Sequence, residues 1–361
     1  MHDHAIHDFQ ACRADGAGRG ETADGRTFFR MWGSLMPRED KPVENFSFGR
    51  RGARATLHIG LVNNMPDMFL RTAELQFARL LKEAAGGFDV RLHLFATSEI
   101  RRSDEVRARM DGFYADAAAV PEMGMDALIF TGAEQHADRL SDEPYWRALT
   151  RLMDWAEAGT VTTLFSGQAA HAAVQHFDGI RRRALPKKLS GVFASLRAAD
   201  DALLAGVPAR ATTPHSRRHG LLESDLTSHG YRVQARLMDG SVDLFVREGR
   251  SRLVFLQGHP EYGADTLGRE YLSDMALFLD GEGERPSIPE NYFDRVTENA
   301  LQALAGRQAQ VADYTEVVTG AVPLQSWRGT TLRLFANWIA SIAAEKPRRR
   351  IARAAATHRS A

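Results

Sequence analysis

The sequence predicts an α/β fold with a mostly parallel central sheet and helices on both faces. Three observations carry this. Apolar runs of strand length alternate with amphipathic segments of helix length. The runs are rich in Val, Ile and Leu, as strands covered on both faces are. Small or polar residues end each run and lead directly into a helix.

Residues 1–53 mix His, Asp, Gly and Arg without a sustained period and are expected to form a disordered extension. Met36 opens MPREDKPVENF, which also reads as a start. Order begins at Ala55. Thr56–Val62 (TLHIGLV) is a buried strand that ends in Asn63-Asn64-Met65-Pro66-Asp67. Pro66 and Asp67 suit a helix start, and Phe69, Leu70, Ala73, Phe77, Leu80 and Leu81 recur at helical spacing up to Gly86-Gly87.

The alternation repeats. Strands are expected at Val90–Phe95, at Asp126–Phe130 before Thr131-Gly132, and at Val161–Phe165. Helices are expected over Tyr145–Ala158 and over the alanine-rich Gln168–His176. Beyond Pro186, strands are read at Leu189–Leu196, Tyr231–Leu237, Ser241–Val246 and Arg252–Gln257, with Met238-Asp239-Gly240-Ser241 as a turn. A helix over Ala264–Leu279, a loop over 280–290 and a last helix over Thr330–Ala344 complete the pattern. No repeat of period 20–50 is visible.

Composition removes several functions. The 361 residues carry 46 Lys plus Arg against 46 Asp plus Glu, so no long-range pull on nucleic acid is implied. No apolar run approaches the length of about 18 residues needed to span a membrane. The polar, Gly-rich start lacks the apolar core of a signal peptide, and a cytoplasmic protein is expected. Cys12 is the only cysteine, so an internal disulfide, a zinc ribbon and a cluster site are impossible. His215, His219 and His259 lack any helical HxxxH pairing that would support a metal.

In an open α/β sheet, chemistry collects beyond the carboxyl ends of the strands. Four ends qualify: Asn63 to Pro66, Thr131-Gly132-Ala133, Ser166-Gly167-Gln168 and Gly258 to Glu261. Phe165-Ser166-Gly167-Gln168-Ala169 has the strand–turn–helix layout of a nucleophile elbow, with small neighbours in Ala169, Ala170 and Ala172. The following backbone N–H groups would form an oxyanion hole. In Gly258-His259-Pro260-Glu261-Tyr262, His259 and Glu261 make a base and its orienting carboxylate. Pro214-His215-Ser216-Arg217-Arg218-His219 is a polar cluster that suits a carboxylate or phosphate, with a solvated loop as the bland alternative.

LVNNMP, ELQFARLL, DALIFTGAE, EPYWRALTRLMDWA, KKLSGVF, PHSR, GHPEY, NYF and SWRGTTLRLFANW occur in this order. With them the sequence resembles the homoserine O-succinyltransferase/O-acetyltransferase family of methionine biosynthesis. The resemblance covers residues 54–342, read as one domain, with 343–361 as a basic disordered tail. It implies a class I glutamine amidotransferase-like fold, a homodimer, no bound cofactor, and acyl-CoA (succinyl-CoA or acetyl-CoA) as co-substrate. The implied mechanism passes the acyl group through an elbow cysteine to the homoserine hydroxyl. By motif, His259 matches the general base and Glu261 its orienting acid. Lys188 and Ser216 match substrate-binding positions, Arg217 adjoins them, and Gly132 and Gln168 match the oxyanion hole. His136 falls where acyl preference is set.

Two positions depart from the family. Gly167 stands where the family has its cysteine, and Ser273 stands where it has an arginine for the substrate carboxylate, with Arg269 one turn earlier. Ser166 is the adjacent substitute nucleophile, disfavoured because neighbouring strand residues point oppositely. Three functions follow: acyl transfer to homoserine, directly with His259 as base; a ligand-binding relative without catalysis; or acyl transfer to another acceptor.

Overall fold

The computed structural model describes residues 46–48, 54–323 and 325–359. Cys12, Met36 and most of the expected N-terminal extension lie outside them. One eleven-stranded sheet organises the described residues. Its strands are β1 (Phe46–Phe48), β2 (Thr56–Val62), β3 (Asp89–Ala96), β4 (Tyr114–Asp116), β5 (Ala127–Phe130), β6 (Thr162–Ser166), β7 (Arg183–Arg197), β8 (Arg210–Gly220), β9 (Arg232–Leu237), β10 (Val242–Arg247) and β11 (Arg252–Leu256). The helices are α1 (Asp67–Ala84), α2 (Asp104–Met110), α3 (Val120–Met123), α4 (Trp146–Gly159), α5 (Gln168–Asp178), α6 (Glu223–Ser228), α7 (Thr266–Leu279), α8 (Arg295–Ala305), α9 (Val311–Gly320) and α10 (Arg328–Arg359).

The strand order is β1-β3-β2-β5-β6-β11-β10-β9-β7-β8, with β4 beside β3. β3, β2, β5, β6 and β11 run parallel, as expected for strands that are apolar on both faces. The strands β11-β10-β9-β7-β8 add an antiparallel extension. One face packs Leu57, Ile59 and Leu61 against Phe77, Leu80 and Leu81 of α1 and Phe335, Trp338 and Ile342 of α10. The other packs Phe130, Phe165 and Phe255 against Leu152 and Met153 of α4 and Ala169, Ala170 and Ala173 of α5.

Phe130, Phe165, Phe255 and Phe245 are register partners on four neighbouring strands. Their rings stack with centroids 5.1, 5.2 and 4.7 Å apart. Aromatic cross-strand pairs resist slippage, so the ladder pins the strand ends above it.

The structure moves several boundaries. The ordered body does not wait for Ala55, because β1 pairs antiparallel with β3, Phe48 opposite Val90. PHSRRH is not a loop: it lies within β8, where His215 is fully buried. The last helix, expected to stop at Ala344, runs on through Pro347 to Arg359, and so takes in residues expected to form the tail. Lys346 holds it there, donating to Thr56 O at 2.8 Å and pairing with Asp126 at 2.7 Å.

Candidate active site

The parallel strands β2, β5, β6 and β11 lie side by side, so their carboxyl ends converge on one sheet edge. A pocket of about 380 Å³ opens there, lined among others by Thr131, Gly132, Ser166, His259, Glu261 and Glu270. A larger cavity of about 530 Å³ lies behind, between β7–β8 and α10, with Asp243, Pro260 and Leu334 in its wall. His259 and Glu261 line only the smaller one, and we place the site there.

Gly167 sits at φ 58°, ψ −122°, between β6 and α5. This is the left-handed half of backbone space, where a side chain is strained. The turn aims the missing side chain at His259: a Cβ built on Gly167 would lie 2.5 Å from Cε1 and 2.9 Å from Nε2. The imidazole therefore fills the elbow. His259 Nδ1 is 2.9 Å from Glu261 Oε1, and Tyr262 stacks on the ring with centroids 4.5 Å apart. Burial disfavours the imidazolium, but the charges of Glu261 and Glu270 and the hydrogen bond to Glu261 outweigh it and hold the His259 pKa above the ordinary histidine value. The same burial, with Glu270 and Glu261 nearby, pushes the Tyr262 phenol upward.

Ser166 does not point away from this pair. Its Oγ donates to Glu261 Oε1 at 2.9 Å, the oxygen that also meets His259. The strand rule fails here because β6 ends at Ser166 and the positive-φ residue after it breaks the alternation. Across the elbow, Gln168 Oε1 accepts from Ala133 N at 2.9 Å. A Cβ on Gly132 would lie 3.7 Å from Gln168 N, so the two expected oxyanion positions adjoin. As the first residue of α5, Gln168 has no intrahelical acceptor for its N–H.

The His259 loop is clamped from two sides. His259 N donates to Pro214 O of β8 at 2.8 Å, which makes the PHSR motif a backbone support. Trp327 Nε1 and Gln325 Nε2 donate to Tyr262 O at 3.0 and 2.9 Å, and Thr331 Oγ1 donates to Pro260 O at 3.2 Å. Gly258 permits the close approach to β8, since a Cβ there would lie 2.5 Å from Thr213 Cγ2.

The other expected site residues do not line this pocket. Lys188 pairs with Asp274 at 2.5 Å, next to Ser273 on α7. Arg269 pairs with Asp265 at 2.6 Å. His136 is mostly exposed and 3.9 Å from Glu134. Ser216 is half-buried in β8 opposite Ser190. Arg217 is buried, bonded to His215 Nδ1 and to His219 O. His215 pairs with Asp243 at 3.2 Å. No group of three or more His, Cys, Asp or Glu side chains able to hold a metal occurs among the described residues. No described helix is long and apolar enough to cross a membrane.

Glu270 is the residue that sequence reasoning missed. Tyr262 OH donates to its Oε1 at 2.5 Å, while its buried Oε2 has no partner. Glu261 Oε2 is equally unpartnered. Thr266 and Glu270 are one helical turn apart on α7 and both line the pocket, a spacing that could have pointed to Glu270.

A sequence profile of the family described as homoserine O-succinyltransferase matches residues 46–348. A homoserine O-succinyltransferase of Rhodopseudomonas palustris is 46% identical over 304 residues, covering 82% of this chain and 91% of that protein. One from Methylorubrum extorquens is 46% identical over 293 residues, covering 79% and 87%. Among solved structures, a glutamine amidotransferase of Thermotoga maritima matches with a TM-score of 0.46 at 10% identity, covering 79% of this chain and 98% of that one.

Proposed function

The chain belongs to the homoserine O-succinyltransferase family, and from that premise we propose that it transfers an acyl group from a CoA thioester directly to the hydroxyl of homoserine. The observation that carries the direct route is the contact between His259 and the elbow. The position that family resemblance gives to a cysteine is Gly167, and the imidazole occupies the space of the missing side chain. Gly167 itself has no side-chain atom that could carry an acyl group.

In the proposed step the homoserine oxygen attacks the thioester carbonyl carbon while His259 Nε2 takes its proton. Glu261 on Nδ1 fixes the tautomer and offsets the positive charge that forms. The N–H groups at Gly132 and Gln168 face the developing oxyanion. The C–O bond forms, the C–S bond breaks, and the CoA sulfur leaves with the proton from His259. The acceptor's ammonium fits Glu270 Oε2, which lacks a partner in the pocket wall.

The test follows free thiol release with homoserine and succinyl-CoA or acetyl-CoA, with intact-protein mass spectrometry alongside. Homoserine-dependent release without a mass increment is expected. An acyl adduct on Ser166 would overturn the direct route. Binding of an acyl-CoA with no release from either donor would overturn catalysis and leave a binding protein.

A further inference from the structure

A buried phenol ordinarily bonds its hydroxyl to a backbone carbonyl or a water. Tyr262 bonds to a carboxylate in the pocket wall instead. The residue is 6% exposed, and its OH donates to Glu270 Oε1 at 2.5 Å. Its ring lies on the His259 imidazole, with centroids 4.5 Å and planes 13° apart. One side chain thus touches both the proposed base and the carboxylate proposed for the acceptor's ammonium. All three residues line the same pocket. A phenylalanine would supply the same ring packing, so the hydroxyl calls for a separate reason.

Neither neighbour is fully oriented without Tyr262. The contact between His259 Nδ1 and Glu261 Oε1 fixes one point of the imidazole, and a ring held at one point can still tilt. The near-parallel phenol sets its plane. Glu270 has the Tyr262 hydroxyl as its one hydrogen-bond partner among the described residues, and its Oε2 is buried with none. The backbone of α7 is anchored separately. Tyr292 OH accepts from Gly268 N at 3.2 Å and donates to Ala264 O at 2.5 Å, and Gln76 Nε2 donates to Thr266 Oγ1 at 2.6 Å. The helix is therefore held by other contacts, and the Glu270 side chain is what depends on Tyr262. Tyr262 itself is fixed at its backbone, where Trp327 and Gln325 donate to its carbonyl and its own N donates to His259 O at 3.1 Å.

The acceptor must present its ammonium to Glu270 and its hydroxyl to His259 Nε2 at once. Such a reaction needs a fixed separation between the two groups, and small misplacements are costly in rate. We propose that Tyr262 is a positioning residue that sets this separation, with its ring on His259 and its hydroxyl on Glu270. The proposal rests on the acyl-transfer reading above and adds the element that registers the two ends of the acceptor. Tyr262 transfers no proton in this role. Burial and the charges of Glu270 and Glu261 push its pKa upward, so the phenol stays protonated and remains a donor.

Homoserine binding is measured by calorimetry, and turnover by thiol release, on the full chain. The variants are Tyr262→Phe, Tyr262→Leu, Glu270→Ala and the double variant Tyr262→Phe with Glu270→Ala. Tyr262→Phe keeps the ring and frees Glu270. It is expected to raise the Kd and KM for homoserine about 10-fold, the scale of one charge-assisted hydrogen bond, with the donor KM within about twofold and kcat within about threefold. Tyr262→Leu also removes the ring, and kcat is expected to fall about 100-fold, the scale of a misplaced catalytic group. In the Glu270→Ala background, Tyr262→Phe is expected to change the homoserine Kd by less than about twofold, because its partner is already gone. An unchanged homoserine Kd in Tyr262→Phe overturns the proposal. So does equal weakening with and without Glu270, the result a merely structural role would give. A kcat for Tyr262→Leu equal to that for Tyr262→Phe overturns the hold on His259. Homoserine binding without thiol release fails the acyl-transfer reading alone, and the Kd comparison still decides this one. Release with a homoserine Kd indifferent to Tyr262→Phe fails this one alone, and no homoserine binding by the wild type fails both.

Discussion

Ser166 and His259 share one oxygen: Glu261 Oε1 lies 2.9 Å from Ser166 Oγ and 2.9 Å from His259 Nδ1. The end of β6 and the loop after β11 are thereby tied through a single carboxylate. Their strands are parallel neighbours with Leu256 opposite Ser166, and the phenylalanine ladder below fixes that register. Beyond Ser166 the chain turns at Gly167, and the imidazole fills the space inside the turn. The site is therefore a packed unit in which glycine, imidazole and carboxylate fit one another.

That packing predicts the cost of a side chain at position 167. Gly167→Ala adds a Cβ in a positive-φ conformation and against the His259 ring. Strain alone is worth about 1–3 kcal/mol. The variant is expected to lose at least that much stability in urea unfolding, with an unchanged denaturant slope, and to lose homoserine-dependent thiol release because His259 must move.

The His259–Glu261 pair predicts a pH profile. A base must be neutral to accept a proton, and the His259 pKa lies above 6.5. The rising limb of kcat/KM against pH is therefore centred above 6.5. Glu261→Gln removes the charge that opposes burial, so the limb moves to lower pH while the maximal rate falls. The linkage has a definite sign: with its pKa raised on folding, His259 adds stability that is full below the ordinary histidine range and fades as pH climbs through the folded value. A limb unmoved by Glu261→Gln would refute this account.

Beneath the His259 loop, Asp243 predicts a structural loss. It accepts from Ser195 at 2.5 Å and Thr213 at 3.2 Å, and His215 Nε2 lies 3.2 Å away. Burial would raise its pKa, but these partners hold it below the ordinary carboxylate value. Full burial holds the His215 imidazole below the usual histidine range. Asp243→Ala takes the acceptor from the buried Ser195 hydroxyl and the half-buried Thr213 hydroxyl and the counter-charge from buried His215, and an unsatisfied buried donor is worth about 1–3 kcal/mol. We expect a loss of about 1–3 kcal/mol on that basis, measured by chemical denaturation, with Asp243→Asn losing less because it keeps an acceptor.

The parallel half of the sheet was legible because β2, β3, β5, β6 and β11 are short runs dominated by apolar residues with turn residues at their ends. His259 and Glu261 were legible because both stand at such an end. β8 was not, because its buried positions carry His215 and Arg217, and polar residues that face one another hide the hydrophobic period. α8 and α9 were missed because few of their residues are buried, with Leu301 and Tyr314 among the few. The orientation of Ser166 was misread because a strand rule was applied across the turn that ends the strand.

Glu270 gives the sharpest test of the acceptor side. On α7 its Oε1 is saturated by Tyr262 OH at 2.5 Å, and its Oε2 is buried with no partner. A buried carboxylate oxygen left unpaired is costly unless a ligand completes it. The proposed acceptor's ammonium would do so, a contact worth about 1.5–3 kcal/mol. Glu270→Gln keeps the shape and the hydrogen bond from Tyr262 but removes the charge. The KM for homoserine is therefore expected to rise about 10- to 100-fold, with the KM for the acyl donor within about twofold of the wild type. The His259 limb should also move to lower pH, because Glu270 contributes to holding that pKa up. An unchanged homoserine KM together with a shifted limb would leave Glu270 as a purely electrostatic neighbour of His259 and move the ammonium elsewhere.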